Sequence, residues 1–192
     1  MLKNRIYHLG VVTSYVYTFF YVADESNALL EEIVIENVSF NNNVTEIIDS
    51  FLKCYFSFRS LTLFLGPAPL VSCRTTLIFF QIFAYIKAIP LIAISGGSYY
   101  FYNDYDVILI QNFAGIYSVI DKEGAARTIS SENELIQETN NKRVGLVGKK
   151  GHEIFAHHAF ILIPNIEKII ICSRIKYINK EFTAPDNITC FF

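Results

Sequence analysis

Residues of chemically capable types are present, but their spacing argues against catalysis. Gly145-Leu146-Val147-Gly148-Lys149-Lys150-Gly151 has the glycine density of a phosphate loop. A Walker loop needs GxxxxGK followed by Ser or Thr, whose hydroxyl reaches magnesium. Here the glycine spacing is wrong and Lys149 is followed by Lys150, so the stretch reads as a strand end and turn. His157-His158 offers two metal-ligating side chains, but neighbours on a helix diverge by about 100°. No third ligand is obvious. No GxSxG occurs, so there is no nucleophile elbow. No carboxylates pair at a spacing suited to acid–base work. The sequence therefore predicts no catalytic, cofactor or metal site and no bound cofactor.

The cysteines lead to the same conclusion. Cys54, Cys73, Cys172 and Cys190 are far apart and form no CxxC, which removes zinc-ribbon and thioredoxin readings. A chain of 192 residues can build its own core, so a disulfide framework is not expected and a reducing cytoplasm is. The sequons at Asn37, Asn43 and Asn187 are read as chance in an Asn-rich chain. The chain is 52% hydrophobic and 18% charged, with a net charge of −2. This excludes disorder, collagen and a basic tail, and leaves no large positive footprint for direct nucleic-acid binding.

High hydropathy raises the question of a membrane. Ile6 to Ala23 lacks Asp, Glu, Lys and Arg and follows Lys3 and Arg5. A spanning helix needs about 20 predominantly apolar residues. This stretch instead holds His8, Thr13, Ser14, Thr18 and four tyrosines, and its Tyr, Val and Phe favour strands. No membrane association is expected. A small membrane-anchored protein remains an alternative.

The elements follow from periodicity and breakers. Strands are predicted at Ile6–Val12, Tyr15–Val22 and Glu32–Ser39. An amphipathic helix over Val44–Leu52 has Asn43 as its cap and Glu46 three residues later. A strand at Leu61–Leu65 precedes a helix at Arg74–Lys87, which ends before Pro90. Nearly every residue of that helix is apolar, so it must be covered on all sides. The next strand is Leu91–Ser95. Beyond it come a hairpin (Val107–Gln111 and Gly115–Ile120), a helix at Ser130–Gln137 capped by Ser130, and a strand at Val144–Gly148. A helix at His152–Phe160 and a strand at Lys168–Cys172 complete the pattern. Three sequential strands followed by αβαβ is the ribonuclease-H-like order. The predicted fold is α/β and actin-like, with a ribonuclease-H-like lobe at 1–97 and a smaller, reduced α/β lobe at 98–192.

Residues 63–97 carry a further pattern. It runs Leu63-Phe64-Leu65-Gly66-Pro67-Ala68-Pro69-Leu70-Val71-Ser72-Cys73-Arg74-Thr75-Thr76-Leu77, then an apolar helix with Ala84, then Ile89-Pro90-Leu91-Ile92-Ala93-Ile94-Ser95. It resembles the TsaB (YeaZ) family, with its GPGSFTGLR-x-GL motif, Ala-Lys-Gly-Leu-Ala helix and IPL-x-x-VSSL segment. Gly66, Pro67, Arg74, Leu77, Ala84, Pro90, Leu91 and Ser95 match. Thr13-Ser14 falls where the family has Asp-Thr-Ser, but the acidic position is Val12. Ala68, Ser72 and Thr76 replace later glycines of the motif, and Phe40-Asn41-Asn42 replaces its His-Ser-Glu.

The resemblance implies a diverged, non-catalytic subunit of tRNA threonylcarbamoyladenosine (t6A) biosynthesis. Its partners would be a TsaD-like catalytic subunit and a TsaE-like ATPase, with homodimerisation also possible. Contacts are expected through the two apolar helices, at Ile47, Phe51, Phe79 and Phe83. Gly66 and Pro67 would shape the turn before the second helix. The alternative is an actin-like ATP-dependent enzyme that holds phosphate with Thr13, Ser14 and the 145–151 turn. Val12 argues against it, because a metal-bound phosphate needs a carboxylate there.

Overall fold

The computed structural model describes residues 6–14, 16–36, 40–55, 57–66, 68, 70–96, 99, 105–111, 116–123, 125–147, 159–161 and 164–183. They fall into two compact units, one of Met1–Ile94 with Pro164–Phe192 and one of Ser95–Ile163. Residues 164–192, which the sequence assigns to the second lobe, instead belong to the first unit. The reason is a C-terminal helix that packs on the first unit's sheet.

In the first unit β1 (Tyr7–Thr13), β2 (Tyr17–Asp24) and β3 (Leu29–Glu36) lead into α1 (Phe40–Cys54). β4 (Phe58–Leu65), α2 (Leu70–Lys87) and β5 (Leu91–Ser95) follow. The sheet order is β3-β2-β1-β4-β5. β1–β2 and β2–β3 are antiparallel, and β1–β4 is parallel. Helix α1 begins at Phe40, so Asn43 lies in its first turn and is not its cap. The amides of a first turn have no partner within the helix, so middling helix formers such as asparagine are tolerated there.

The second unit contains β6 (Val107–Gln111), β7 (Tyr117–Asp121), β8 (Ala126–Ile129), α3 (Glu132–Thr139), β9 (Val144–Val147) and β10 (Ala159–Ile161). Its sheet runs β8-β7-β6-β9-β10, with the β6–β7 and β7–β8 pairs antiparallel and β6–β9 and β9–β10 parallel. This is the strand order of the first unit again. Duplication of a ribonuclease-H-like sheet is the actin-like architecture expected. The cap of α3 is Ser131, one residue later than expected. Ala159 and Phe160 are in a strand, not the predicted helix, and residues 152–158 of that prediction lie outside the described residues.

The predicted strand at Lys168–Cys172 is instead part of α4 (Ile166–Ile178). Its β-branched run favours a strand locally. Packing overrides this: Ile166, Ile169, Ile170 and Ser173 recur at helical spacing and are buried. The Asn165 side chain caps the helix by accepting from the Lys168 amide at 3.0 Å.

The two faces of the first sheet differ. Leu9, Val11, Phe20, Leu61 and Leu63 share one apolar core with Val44, Ile48 and Phe51 of α1 and with Phe80 and Ala84 of α2. The Phe20 and Phe80 rings are 6.1 Å apart. The other face presents His8, Tyr21, Ser60 and Thr62 beneath α4. His8 Nδ1 and Ser60 Oγ are 2.6 Å apart. Thr62 hydrogen-bonds Ser173 and also Tyr21, whose phenol burial pushes far above its ordinary value. Gly10 leaves the space that the Tyr21 ring fills, and a methyl group there would overlap the ring.

Candidate partner interface

Helix α2 begins at Leu70. Its inward face carries Phe80, Phe83 and Ala84, all buried. The opposite face presents Val71, Ile78, Ile82, Tyr85 and Ile86. Stepping by four from exposed Arg74 leads through 78, 82 and 86, so these positions form one outward stripe. Tyr85 is 82% exposed and Ile86 70%. The helix is therefore not covered on all sides. One apolar stripe remains open.

This placement corrects the expected contact residues. Ile47 and Phe83 are buried and Phe51 is fully buried, all in the first unit's core. Phe79 is half-buried, with its ring 5.0 Å from that of Phe80. An all-apolar helix carries no hydrophobic phase, so periodicity alone cannot say which side faces out. Arg74 was the available signal, because it marks the solvent side. In α1 the outward positions are polar instead: Thr45, Glu46, Asp49 and Ser50 are exposed. Asp49 pairs with Lys53 at 2.6 Å, which raises the lysine's pKa.

The turn into α2 is built on close approach. A Cβ at Gly66 would lie 2.7 Å from a Phe64 ring carbon and 2.9 Å from the Thr13 carbonyl oxygen, which leaves room only for glycine. Cys73 Sγ reaches back to the Gly66 carbonyl at 3.7 Å. Pro67 lies outside the described residues. Thr76, at a motif position where the resembled family has glycine, is fully buried, and its hydroxyl has no hydrogen-bond partner among the described residues.

The residues considered for phosphate are turned inward. Thr13 Oγ1 donates to the Phe64 carbonyl at 3.0 Å, and Ser14 Oγ donates to the Tyr17 carbonyl at 2.8 Å. Val12 is fully buried. Gly148–Gly151 and His157-His158 lie outside the described residues. Among the described residues, no cluster of three or more His, Cys, Asp or Glu is placed to hold a metal ion. No helix among them is long and apolar enough to cross a membrane. The second unit has a cleft of about 530 Å³ with Asp106, Lys122, Arg127, Glu138 and Lys142 in its lining. Five of its charges pair within it: Lys122 with Asp106 at 2.8 Å, and both Arg127 and Lys142 with Glu138.

No family model and no curated protein matches the sequence. Solved structures do match. YeaZ from Pseudomonas aeruginosa superposes with a TM-score of 0.59 at 12% identity, over 97% of this chain and 99% of its own. A protein described as similar to peptidase YEAZ from Pseudomonas aeruginosa gives 0.57 at 11% identity, over 98% of each chain. The resemblance read from residues 63–97 thus extends, as a fold, along almost the whole chain.

Proposed function

We propose that this chain is a diverged TsaB-like subunit that performs no chemistry itself and supports a TsaD-like catalytic subunit in t6A modification of tRNA. The observation that carries this reading is the open apolar stripe of α2, on a chain that shares the YeaZ fold from end to end. A stripe of aliphatic residues flanking a tyrosine has the composition of the buried centre of a protein interface. The inward hydrogen bonds of Thr13 and Ser14, and valine at position 12, fit a subunit that has given up phosphate chemistry. The TsaE-like ATPase would act on the assembled pair, in the cytoplasm.

Size-exclusion chromatography with mass detection tests the reading, with the chain alone and with the TsaD-like subunit of the same cell. A heterodimer is expected. The double variant Ile78→Arg/Ile82→Arg should abolish it while leaving the thermal melt cooperative, because both positions are exposed. A wild-type chain that ignores the TsaD-like subunit, or a double variant that still binds it, overturns the proposal.

A further inference from the structure

A second surface lies on the opposite face of the same sheet. β3 sits at the end of its sheet, beside β2 alone among the described residues. An end strand leaves a row of backbone N–H and C=O groups open to another chain, and proteins commonly blunt it with lysine or proline. β3 has neither. Along its outer face Glu32, Val34 and Glu36 alternate, all exposed, and Leu30 is exposed where the register with β2 shifts. Val34 pairs with Phe19 and Glu36 with Tyr17, so the apolar strip is two strands wide. Its charge is one-sided: residues 6–52 hold seven carboxylates and no lysine or arginine. Five of the seven, Asp24, Glu25, Glu31, Glu32 and Glu36, lie on the β2–β3 hairpin. Glu31 is engaged by the Tyr55 hydroxyl at 3.0 Å, which leaves the outward pair, Glu32 and Glu36, as the acidic rim.

We propose that the free edge of β3 takes an extended segment of another protein in which Lys or Arg alternates with aliphatic residues, as an added strand. The open backbone supplies the pairing, Leu30 and Val34 accept the aliphatic side chains, and Glu32 and Glu36 accept the basic ones. A second copy of this chain fits poorly, because pairing two β3 strands would bring two rims of Glu32 and Glu36 together with no basic residue on either strand to offset them. The acidic hairpin repels nucleic acid. This surface is independent of the α2 stripe, since α2 packs on the other face of the sheet.

The test uses the full chain and a labelled decapeptide of alternating lysine and valine, followed by fluorescence anisotropy. The control is a peptide of the same charge with its two central valines replaced by proline. Saturable binding is expected, at least ten-fold tighter than that of the proline peptide. The Glu32→Lys/Glu36→Lys variant should bind at least ten-fold more weakly. Hydrogen exchange should show new protection of β3 amides. Equal binding of the proline peptide would mean charge attraction alone and overturns the proposal. So does undiminished binding by the charge-reversed variant, or no binding at all.

Discussion

The two units have the same strand order and present different surfaces to solvent. In the first, large apolar side chains stay exposed on α2 (Ile78, Ile82, Tyr85, Ile86), on α4 (Ile171, Ile175, Ile178) and on β3 (Leu30, Val34). In the second, Ile136 is the one large exposed apolar side chain among the described residues. Around the second unit's cleft, Lys122 pairs with Asp106, and Arg127 and Lys142 pair with Glu138. A strand order depends on which residues alternate inward, and both units meet that demand. Surface composition is free to vary once it is met. Contiguous exposed apolar residues disfavour a solitary soluble surface and mark places where other chains sit. On the proposed reading, partner binding falls on the first unit, where most of the exposed large apolar side chains among the described residues lie.

The strongest way to break this comparison is to empty the first unit's core. Phe80→Ala removes a fully buried ring that lies between the sheet and α2, beside Phe20. The expected loss is about 3–5 kcal/mol, read by chemical denaturation. It should far exceed the effect of Ile78→Arg on the outward side of the same helix. Equal losses at the two positions would mean that α2 is covered on both sides, and the open stripe would not exist.

Much of this fold was legible in the sequence, and the exceptions have physical causes. The first three strands, the helix at 44–52, the strand at 61–65 and the helix before Pro90 could be read because their breakers are strong. The α4 segment could not, because Lys168-Ile169-Ile170-Ile171-Cys172 is locally a good strand and only the packed sheet selects the helix. Asn165, in position to cap, was the overlooked sign. The turn at Gly66 was legible because the motif spells it out. The outward phase of α2 was marked by Arg74 but went unread, since the nearly all-apolar run after it shows no polar face. The β3 edge went unread because Glu32–Ser39 alternation fixes a strand without saying that it ends a sheet.

A smaller effect separates the polar face of the first sheet from its apolar face. His8 is lowered to about 4, chiefly by burial, with Arg174 and then Arg59 adding to the shift and Asp24 opposing it. Its Nε2 is 3.4 Å from the Arg174 guanidinium, and its ring lies 5.3 Å from that of Tyr177. In the unfolded chain the imidazole takes its proton near 6.5, and in the folded chain only near 4. Between these values the unfolded state binds more protons, so stability falls as pH falls through the window and levels off below it. The expected loss is on the order of 1–2 kcal/mol after allowance for solvent screening. His8→Gln should flatten the slope. A wild-type chain whose stability is constant from pH 6.5 to 4 would mean that α4 does not seal this face.

The smallest expected effect lies in the second unit. Arg127 and Glu138 form an ion pair with the arginine side chain 55% exposed, and Lys142 shares the same carboxylate at 3.4 Å. Exposed pairs of this kind contribute about 0–1 kcal/mol, and salt screens them. Arg127→Ala should therefore lower stability by less than about 1 kcal/mol, and the difference from wild type should vanish in high salt. The polar contacts under α4 should respond in the opposite sense, because His8, Ser60, Thr62 and Ser173 are buried and act through hydrogen bonds that salt does not reach. Urea unfolding of Arg127→Ala and His8→Gln at low and high ionic strength separates the two cases. If Arg127→Ala kept its effect in high salt, the second unit would depend on the ion pairs around its cleft, and its surface would be as consequential as that of the first.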